Sequence, residues 1–275
     1  MGMVIHGINN IFTVFKDGET LECVIKGKIL KDTGKVYAPL APGDMVDLDR
    51  SENGISRITA RRERSSEFCR WNKKRKAPQT IAANVDQVIC VCSADSPPFR
   101  PRFIDRIHVT SEIERIPFLV VINKIDKGIP KDMEERLAVY ESTGCAVVRC
   151  SAKEEKKIDE LEAAIAGKRS VFCGQSGVGK SSLLNLLIPG IDRKIGSISA
   201  KYNRGKHTTR FGTLVFHPSG GWIVDTPGIR EFEIVDIEPT ELSFFFPEMV
   251  SFRENCVSRA CTHDHEPECA VLDAV

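Results

Sequence analysis

The chain has 275 residues, enough for two domains and a small appendage. Its 41% apolar and 28% charged residues are those of a soluble globular protein, and a formal charge of +1 excludes a global field that would draw it to nucleic acid. No apolar run is long enough to span a bilayer, residues 1–7 lack the pattern of a secretory signal, and His6 stands where a myristoylation signal wants Ser or Thr, so a cytoplasmic location is expected.

Residues 4–58 read as short β-rich runs separated by turns. Residues 22–30 are predicted as a strand, Asp32-Thr33-Gly34-Lys35 as a hairpin turn and residues 36–40 as the return. Pro42-Gly43-Asp44 is a further turn before the alternating residues 45–48. Such a segment suits a small closed barrel of the OB type, with a generic β-domain as the alternative. Residues 57–76 then carry nine Arg or Lys against two Glu, with Phe68 and Trp71 interleaved. That stripe is either a solvated linker or a nucleic-acid contact, in which cations meet phosphates and rings stack on bases.

From Thr80 strands and helices alternate. Residues 85–91 and 118–122 are apolar strands of a parallel sheet covered on both faces, and residues 103–113 and 133–143 are the intervening helices. Ile158, Leu161 and Ile165 share one helical face. Residues 170–173 form a strand, and Ile223-Val224 end another. The layout is that of an α/β nucleotide-binding domain.

Residues 174–181 satisfy G-x-x-x-x-G-K-[ST] between a strand and the helical run 183–187. The expected phosphate-contacting set is Gly174, Gln175, Ser176, Gly177, Val178, Gly179, Lys180, Ser181 and Ser182. Lys180 reaches the β- and γ-phosphates and the Ser181 hydroxyl ligates Mg²⁺. Asp225-Thr226-Pro227-Gly228 supplies a carboxylate that holds Mg²⁺ through water and an N–H, from Gly228, for the γ-phosphate. Thr208 and Thr209 are candidates for the switch threonine on Mg²⁺, with Thr209 preferred. In Asn123-Lys124-Ile125-Asp126, Asp126 can accept two hydrogen bonds from guanine N1–H and N2–H₂. Adenine offers no such pair, which disfavours an ATP-using kinase. Lys124 lies along the base and Asn123 ties the loops together, while Ser151-Ala152-Lys153 presents a backbone N–H to guanine O6. The base loop precedes the phosphate loop, the reverse of the order in an ordinary P-loop GTPase. Ile229 occupies the position where many GTPases carry a water-orienting Gln; His207, beside the threonines, is the candidate to replace it.

Ten cysteines do not form an even framework. Cys90, Cys92 and Cys173 sit in apolar runs and read as buried thiols, and Cys23, Cys69, Cys145 and Cys150 are scattered. Only Cys256, Cys261 and Cys269 cluster, together with His263. Three thiolates and one imidazole make a closed, structural Zn²⁺ site. His265 is a competing ligand, and an iron–sulfur cluster or a disulfide with a spare thiol are the alternatives.

The set Ile81-Ala82-Ala83-Asn84-Val85-Asp86-Gln87, Asn-Lys-Ile-Asp, Ser-Ala-Lys, Gly-Gln-Ser-Gly-Val-Gly-Lys-Ser, Gly-Lys-His-Thr-Thr, Asp-Thr-Pro-Gly and a Cys/His tail ending Glu266-Pro267-Glu268-Cys269-Ala270-Val271 closely resembles the circularly permuted bacterial GTPases of the RsgA/YjeQ family. The resemblance implies a multidomain fold. Residues 1–68 would form an OB-type RNA-binding barrel, residues 69–238 a circularly permuted α/β P-loop GTPase domain, and residues 239–275 a small zinc-binding domain. It further implies GTP hydrolysis that is slow alone and stimulated by the small (30S) ribosomal subunit. The protein would bind that subunit and its rRNA as a late assembly checkpoint, using GTP/GDP, Mg²⁺ and Zn²⁺, as a monomer without membrane association. A non-catalytic GTP-binding RNA module is the alternative that Ile229 favours. The family typically continues in helical sequence past its last cysteine, whereas this chain runs six residues further to Val275, so any role of that extension is not carried over.

Overall fold

Alternate residues of a strand face one side, so Phe12 and Val14 of β2 (Ile11–Lys16) share an interior with Val4 of β1 (Gly2–Ile8). With β3 (Glu19–Ile25), β4 (Met45–Asp49) and β5 (Ser56–Arg61) they close a barrel in the order β1-β2-β3-β5-β4, β4 pairing back onto β1. This is an OB-like barrel, filled by Cys23, Val46 and Ile58 in addition. The structure, a computed structural model, describes residues 1–8, 10–26, 39–51, 54–191, 212–226, 231–235 and 237–275. The strand predicted over 22–30 is β3, which starts three residues earlier. The turn predicted at 32–35 lies outside the described residues.

The basic stripe contains a strand. β6 (Glu67–Asn72) and β7 (Ala77–Ala83) form an antiparallel two-stranded sheet. Phe68 is fully buried, its ring stacked on Phe232 with centroids 5.5 Å apart. The expectation that Phe68 offers a face to a base is therefore corrected: its ring belongs to the core, where burial gains about 1.5–3 kcal/mol. Trp71 is half-buried, and its backbone N–H donates to the Glu233 carbonyl at 3.1 Å. At the exposed tip, Lys73 pairs with Glu231 and Glu233 at 3.0 and 2.7 Å.

A buried ion pair locks barrel to hairpin. Arg64 Nε and Nη2 donate to the two carboxylate oxygens of Asp44 at 2.7 and 2.9 Å, and Nη1 donates to Thr80 at 3.1 Å and to Glu67. The Asp44 side chain is fully buried and also accepts from the Ala41 N–H at 2.7 Å. Gly43 packs so closely that a Cβ there would stand 2.1 Å from the Ala83 carbonyl oxygen. Removing the cation leaves a buried carboxylate unpaired, so Arg64→Met is expected to cost about 3–5 kcal/mol, and Asp44→Asn/Arg64→Met less. Denaturant titration followed by the fluorescence of Trp71 and Trp222 checks this. Equal losses in both variants would show that charge is not the cause.

Beyond the hairpin lies a six-stranded sheet. Its strands are β8 (Gln87–Ser93), β9 (Phe118–Asn123), β10 (Ala146–Arg149), β11 (Arg169–Gly174), β12 (Thr213–Phe216) and β13 (Trp222–Asp225), in the order β10-β9-β8-β11-β13-β12. All neighbours are parallel except edge strand β12, which sequence reasoning did not predict. Val88, Cys90, Cys92, Val120 and Cys173 face one core with α1 (Pro101–Ile113) and α2 (Lys131–Ser142). Ile89, Val91, Val121 and Phe172 face the other with α3 (Ile158–Ile165) and α4 (Lys180–Leu187). Both faces are thus covered, as continuous apolar strands require. The chain steps outward from β8 to β10, then returns to place β11 on the far side of β8. The carboxyl ends of β8 and β11 are therefore a topological switch point, where such sheets open a ligand crevice.

After β13 the chain forms a 3-10 turn (Leu242–Phe245), α5 (Pro247–Arg253) and α6 (Ala270–Asp273). Among the described residues no helix is long and apolar enough to cross a membrane.

Candidate functional site

Every described motif predicted to touch nucleotide ends at that crevice. The strand β11 delivers Gly174, whose Cβ, were there one, would meet the Val91 carbonyl oxygen at 2.3 Å. Gly179, with φ +94°, faces Asn123 so closely that a Cβ would stand 2.2 Å from its Nδ2. Asn123 Nδ2 donates to the Val178 carbonyl at 2.9 Å, and its Oδ1 accepts from the Ala152 N–H at 3.0 Å. One buried amide thus holds together the phosphate loop, the base loop and the Ser-Ala-Lys loop.

Lys124 adopts φ +67°, and its ammonium donates to the carbonyl of Gly177 at 2.8 Å and to that of Ser96. Its stem is thereby stretched across the phosphate loop. Asp126 accepts from the Ser151 hydroxyl at 2.6 Å, a bond that holds its carboxyl below the usual range. Ser151 is fully buried and its hydroxyl also accepts from the Glu154 N–H at 3.2 Å, which fixes the loop that carries Ala152 and Lys153.

Lys180 is buried and donates to the Gly174 carbonyl at 3.1 Å; burial pushes its ammonium below the usual range, against the pull of Asp225. Burial likewise pushes Asp225 up to about 6, the Lys180 ammonium opposing. Thr226 anchors the strand end, its hydroxyl donating to the Phe172 carbonyl at 2.7 Å. Gln175 is half-buried, while Ser176, Gly177, Ser181 and Ser182 are exposed at the mouth of the loop, open to a ligand. An ammonium, consecutive backbone N–H groups at the start of α4 and a nearby carboxylate are the equipment for a nucleoside phosphate with Mg²⁺. His207, Thr208, Thr209, Gly228 and Ile229 lie outside the described residues.

In the tail, the ligand atoms of Cys256, Cys261, His263 and Cys269 all lie within 4.8 Å of one another. Cys256 Sγ is 3.9 Å from Cys269 Sγ, and His263 Nδ1 is 3.6 and 3.3 Å from those two sulfurs. Tetrahedral Zn²⁺ with ordinary bond lengths requires edges of about 3.8 Å between sulfurs and about 3.6 Å from sulfur to nitrogen. The donor set and the spacing fit. His263 Nε2 meets the Ser243 hydroxyl at 3.1 Å, leaving Nδ1 for the metal. His265 is exposed beside Asp264 and is not part of the cluster.

A family model described as RsgA GTPase matches residues 61–235. The chain belongs to the RsgA GTPase family. It is 40% identical over 274 residues to the small ribosomal subunit biogenesis GTPase RsgA of Borreliella burgdorferi (strain ZS7), covering 99% of this chain and 89% of that one. Against the protein of that name from Chlorobaculum parvum (strain DSM 263 / NCIMB 8327) it is 39% identical over 270 residues, 94% of this chain and 86% of the other. Among solved structures it is similar to YjeQ from Thermotoga maritima, with a TM-score of 0.75, 32% identity and coverage of 99% and 90%. It is also similar to YloQ, described as a circularly permuted GTPase, with a TM-score of 0.69, 29% identity and coverage of 99% and 86%.

Several groups that shape this RsgA-family site carried no sequence signal. The Ser96 carbonyl that receives Lys124 is backbone, and nothing in a sequence marks a carbonyl for such use. Ser243 precedes its partner His263 by twenty residues and stands in an unremarkable run. Lys180 and Asp225 were each marked by a motif, but the burial that sets each in the field of the other was not.

That burial has a measurable consequence in the nucleotide-free protein. Asp225 titrates near the ordinary carboxylate value of 3.8 when unfolded, and burial raises it to about 6 when folded. The folded form therefore holds an extra proton between these values. The stability this confers is full below about pH 4, is lost as pH rises to about 6, and amounts to at most about 3 kcal/mol. Asp225→Asn, an isostere of the protonated acid, is expected to raise the melting temperature at pH 7.5 and to raise it only about a third as much at pH 4.5. An equal shift at both pH values would rule out the carboxylate as its source.

Proposed function

We propose that this GTPase reads guanine through Asp126, Lys124 and Asn123, with a backbone N–H of the Ser151-Ala152-Lys153 loop on O6. Gly174 to Ser182 cradle the phosphates, Lys180 reaches the β- and γ-phosphates, and Ser181 with Asp225 serves Mg²⁺. The observation that carries the reading is the buried Asn123 amide, which bonds the phosphate loop on one side and the base-contacting loop on the other. Such a clamp presets the distance between base and phosphates, and preorganisation of this kind is how a site gains selectivity without paying to order loops on binding. Gly228 on the γ-phosphate, Thr209 on Mg²⁺ and His207 orienting the attacking water, in place of the missing Gln at Ile229, complete the proposal.

The curated relatives carry the name small ribosomal subunit biogenesis GTPase, and this chain covers nearly their whole length. We extend that partner to it: a cytoplasmic, monomeric factor that binds the small subunit and its rRNA late in assembly, with hydrolysis slow alone and stimulated by the subunit. Residues 1–68 are the RNA-binding unit, 69–238 the GTPase unit and 239–275 the zinc unit of this scheme. Exposed Lys74, Arg75 and Lys76 on the hairpin tip, beside Trp71, support an RNA-facing role for the basic stripe. GTP and GDP states are expected to differ in how residues 231–247 and the tail are held.

GTP turnover measured with and without purified small subunits tests the whole. Stimulation is expected. A rate unaffected by subunits refutes the ribosomal reading, and tight GTP binding without turnover in either condition assigns a non-catalytic module instead. If His207→Ala leaves turnover unchanged while nucleotide binding is intact, that residue has no catalytic role.

A further inference from the structure

Beside the nucleotide crevice lies a second cavity, of about 950 Å³, between the start of α1, the start of α2 and the segment that follows β13. It shares only Gln175 with the phosphate loop, and Glu231 and Phe232 with the segment after Asp225. Four guanidinium groups line it, from Arg100, Arg102, Arg106 and Arg136. Arg136 is paired with Asp105 at 3.7 Å. Among the described residues, Arg100, Arg102 and Arg106 have no ion-pair partner within 4.0 Å, and all three are exposed. Three acids face the same space. Glu231 is already held by Lys73, which leaves Asp95 and Asp132, both on the rim and exposed. Phe99, Phe103 and Met133 form an apolar floor, Phe99 only partly buried.

Guanidinium forks match phosphate oxygens in geometry and charge; none of these three is in an ion pair, and only Arg106 lies in the field of an acid, Glu231, that Lys73 already holds. A half-exposed ring beside them suits a flat base, which any aromatic face can stack. The volume is at the upper end of that usual for small-ligand sites. Asp95 and Asp132 can accept from ribose hydroxyls or exocyclic amines. We propose that this cavity is an accessory site for a nucleoside-phosphate unit, its phosphate held by Arg100, Arg102 and Arg106 and its base lying on Phe99. The unit is supplied either as a free nucleotide or as one residue of a single-stranded RNA. Its occupant touches Gln175 on one side and Phe232 on the other, and so bears on both the phosphate loop and the segment after Asp225. The site is separate from the guanine site and does not depend on hydrolysis.

Met133 is a local reporter. The chain has five methionines, and the other four lie in the barrel (Met1, Met3, Met45) and the tail (Met249). In the full chain saturated with GDP and Mg²⁺, methyl-¹³C methionine spectra are recorded during titration with adenosine 5′-monophosphate, with a short single-stranded oligoribonucleotide lacking a 5′-phosphate, and with inorganic phosphate. Calorimetry of the GDP step reports the main site independently. The Met133 methyl is expected to shift saturably, and Arg102→Gln/Arg106→Gln to weaken that response about tenfold or more while the other four methyls stay in place. A shift with the mononucleotide identifies free nucleotide as sufficient, and a shift with the oligomer alone identifies RNA. No Met133 shift with any probe, an undiminished shift in the double variant, or inorganic phosphate binding as tightly as the mononucleotide overturns the proposal.

Discussion

Replacing Asp126 by asparagine is expected to lower GTP affinity by about two to four orders of magnitude and to create affinity for xanthosine triphosphate. The carboxylate can accept from guanine N1–H and N2–H₂ together, and each hydrogen bond to a charged group contributes about 1.5–3 kcal/mol. Ser151 holds that carboxylate in place through its 2.6 Å bond, so no reorientation offsets the loss. Asparagine keeps one acceptor, for N1–H, and turns a donor toward position 2 of the ring, where it repels the guanine amino group but meets the xanthine carbonyl. Ser151→Ala, which removes only the orienting bond, loses about tenfold, because the carboxylate remains but must be ordered on binding. Competition among GTP, XTP and ATP for a fluorescent nucleotide checks both variants. An unchanged GTP-to-XTP ratio in Asp126→Asn would remove Asp126 from the base site.

Stripping metal from the tail is expected to unfold residues 237–275 and leave the rest standing. The small core there consists of Cys261, Cys269 and Val271, with Met249 and Cys256 packed against it. Three of those five side chains are metal ligands, so without the ion almost no apolar surface is buried and the chain entropy of the segment goes unopposed. Structural Zn²⁺ sites in small modules contribute about 10–16 kcal/mol, which is folding free energy when no core exists apart from the metal. Chelation, or Cys256→Ser, is expected to open Arg253 and Arg259 to trypsin while the barrel and sheet stay protected and nucleotide still binds. Metal analysis should give one Zn²⁺ per folded chain. Undiminished resistance at both arginines after chelation would show that the tail folds on its own.

What could be read from the residues differed by element for physical reasons. The strands β8, β9 and β11 are continuous apolar runs covered on both faces, so composition alone marks them, and each was located to within two residues. Edge strand β12 is four residues long and follows a stretch without apolar periodicity, so nothing announced it. Phe68 was the sharper failure. In a window rich in Arg and Lys an aromatic reads as a stacking platform, yet a strand sends alternate side chains to opposite faces, and Phe68 points inward against Phe232. Asp44 and Arg64 are unremarkable charges in the sequence; twenty residues separate them, and only the packing of barrel against hairpin buries both.

The sequence by itself determined the chemistry: a phosphate loop, a guanine loop placed ahead of it, and three cysteines with one histidine at zinc spacing, since each requires particular side chains at short, fixed intervals. Only the tertiary structure decided which groups cooperate. It brought Asn123 between two loops, set buried Lys180 in the field of Asp225, buried Asp44 against Arg64, and closed a cavity between Arg100, Arg102 and Arg106 on one side and Arg136, Gln175 and Phe232 on the other. Those relations join residues twenty or more positions apart, or lie in backbone atoms common to every residue, and local spacing carries no record of either.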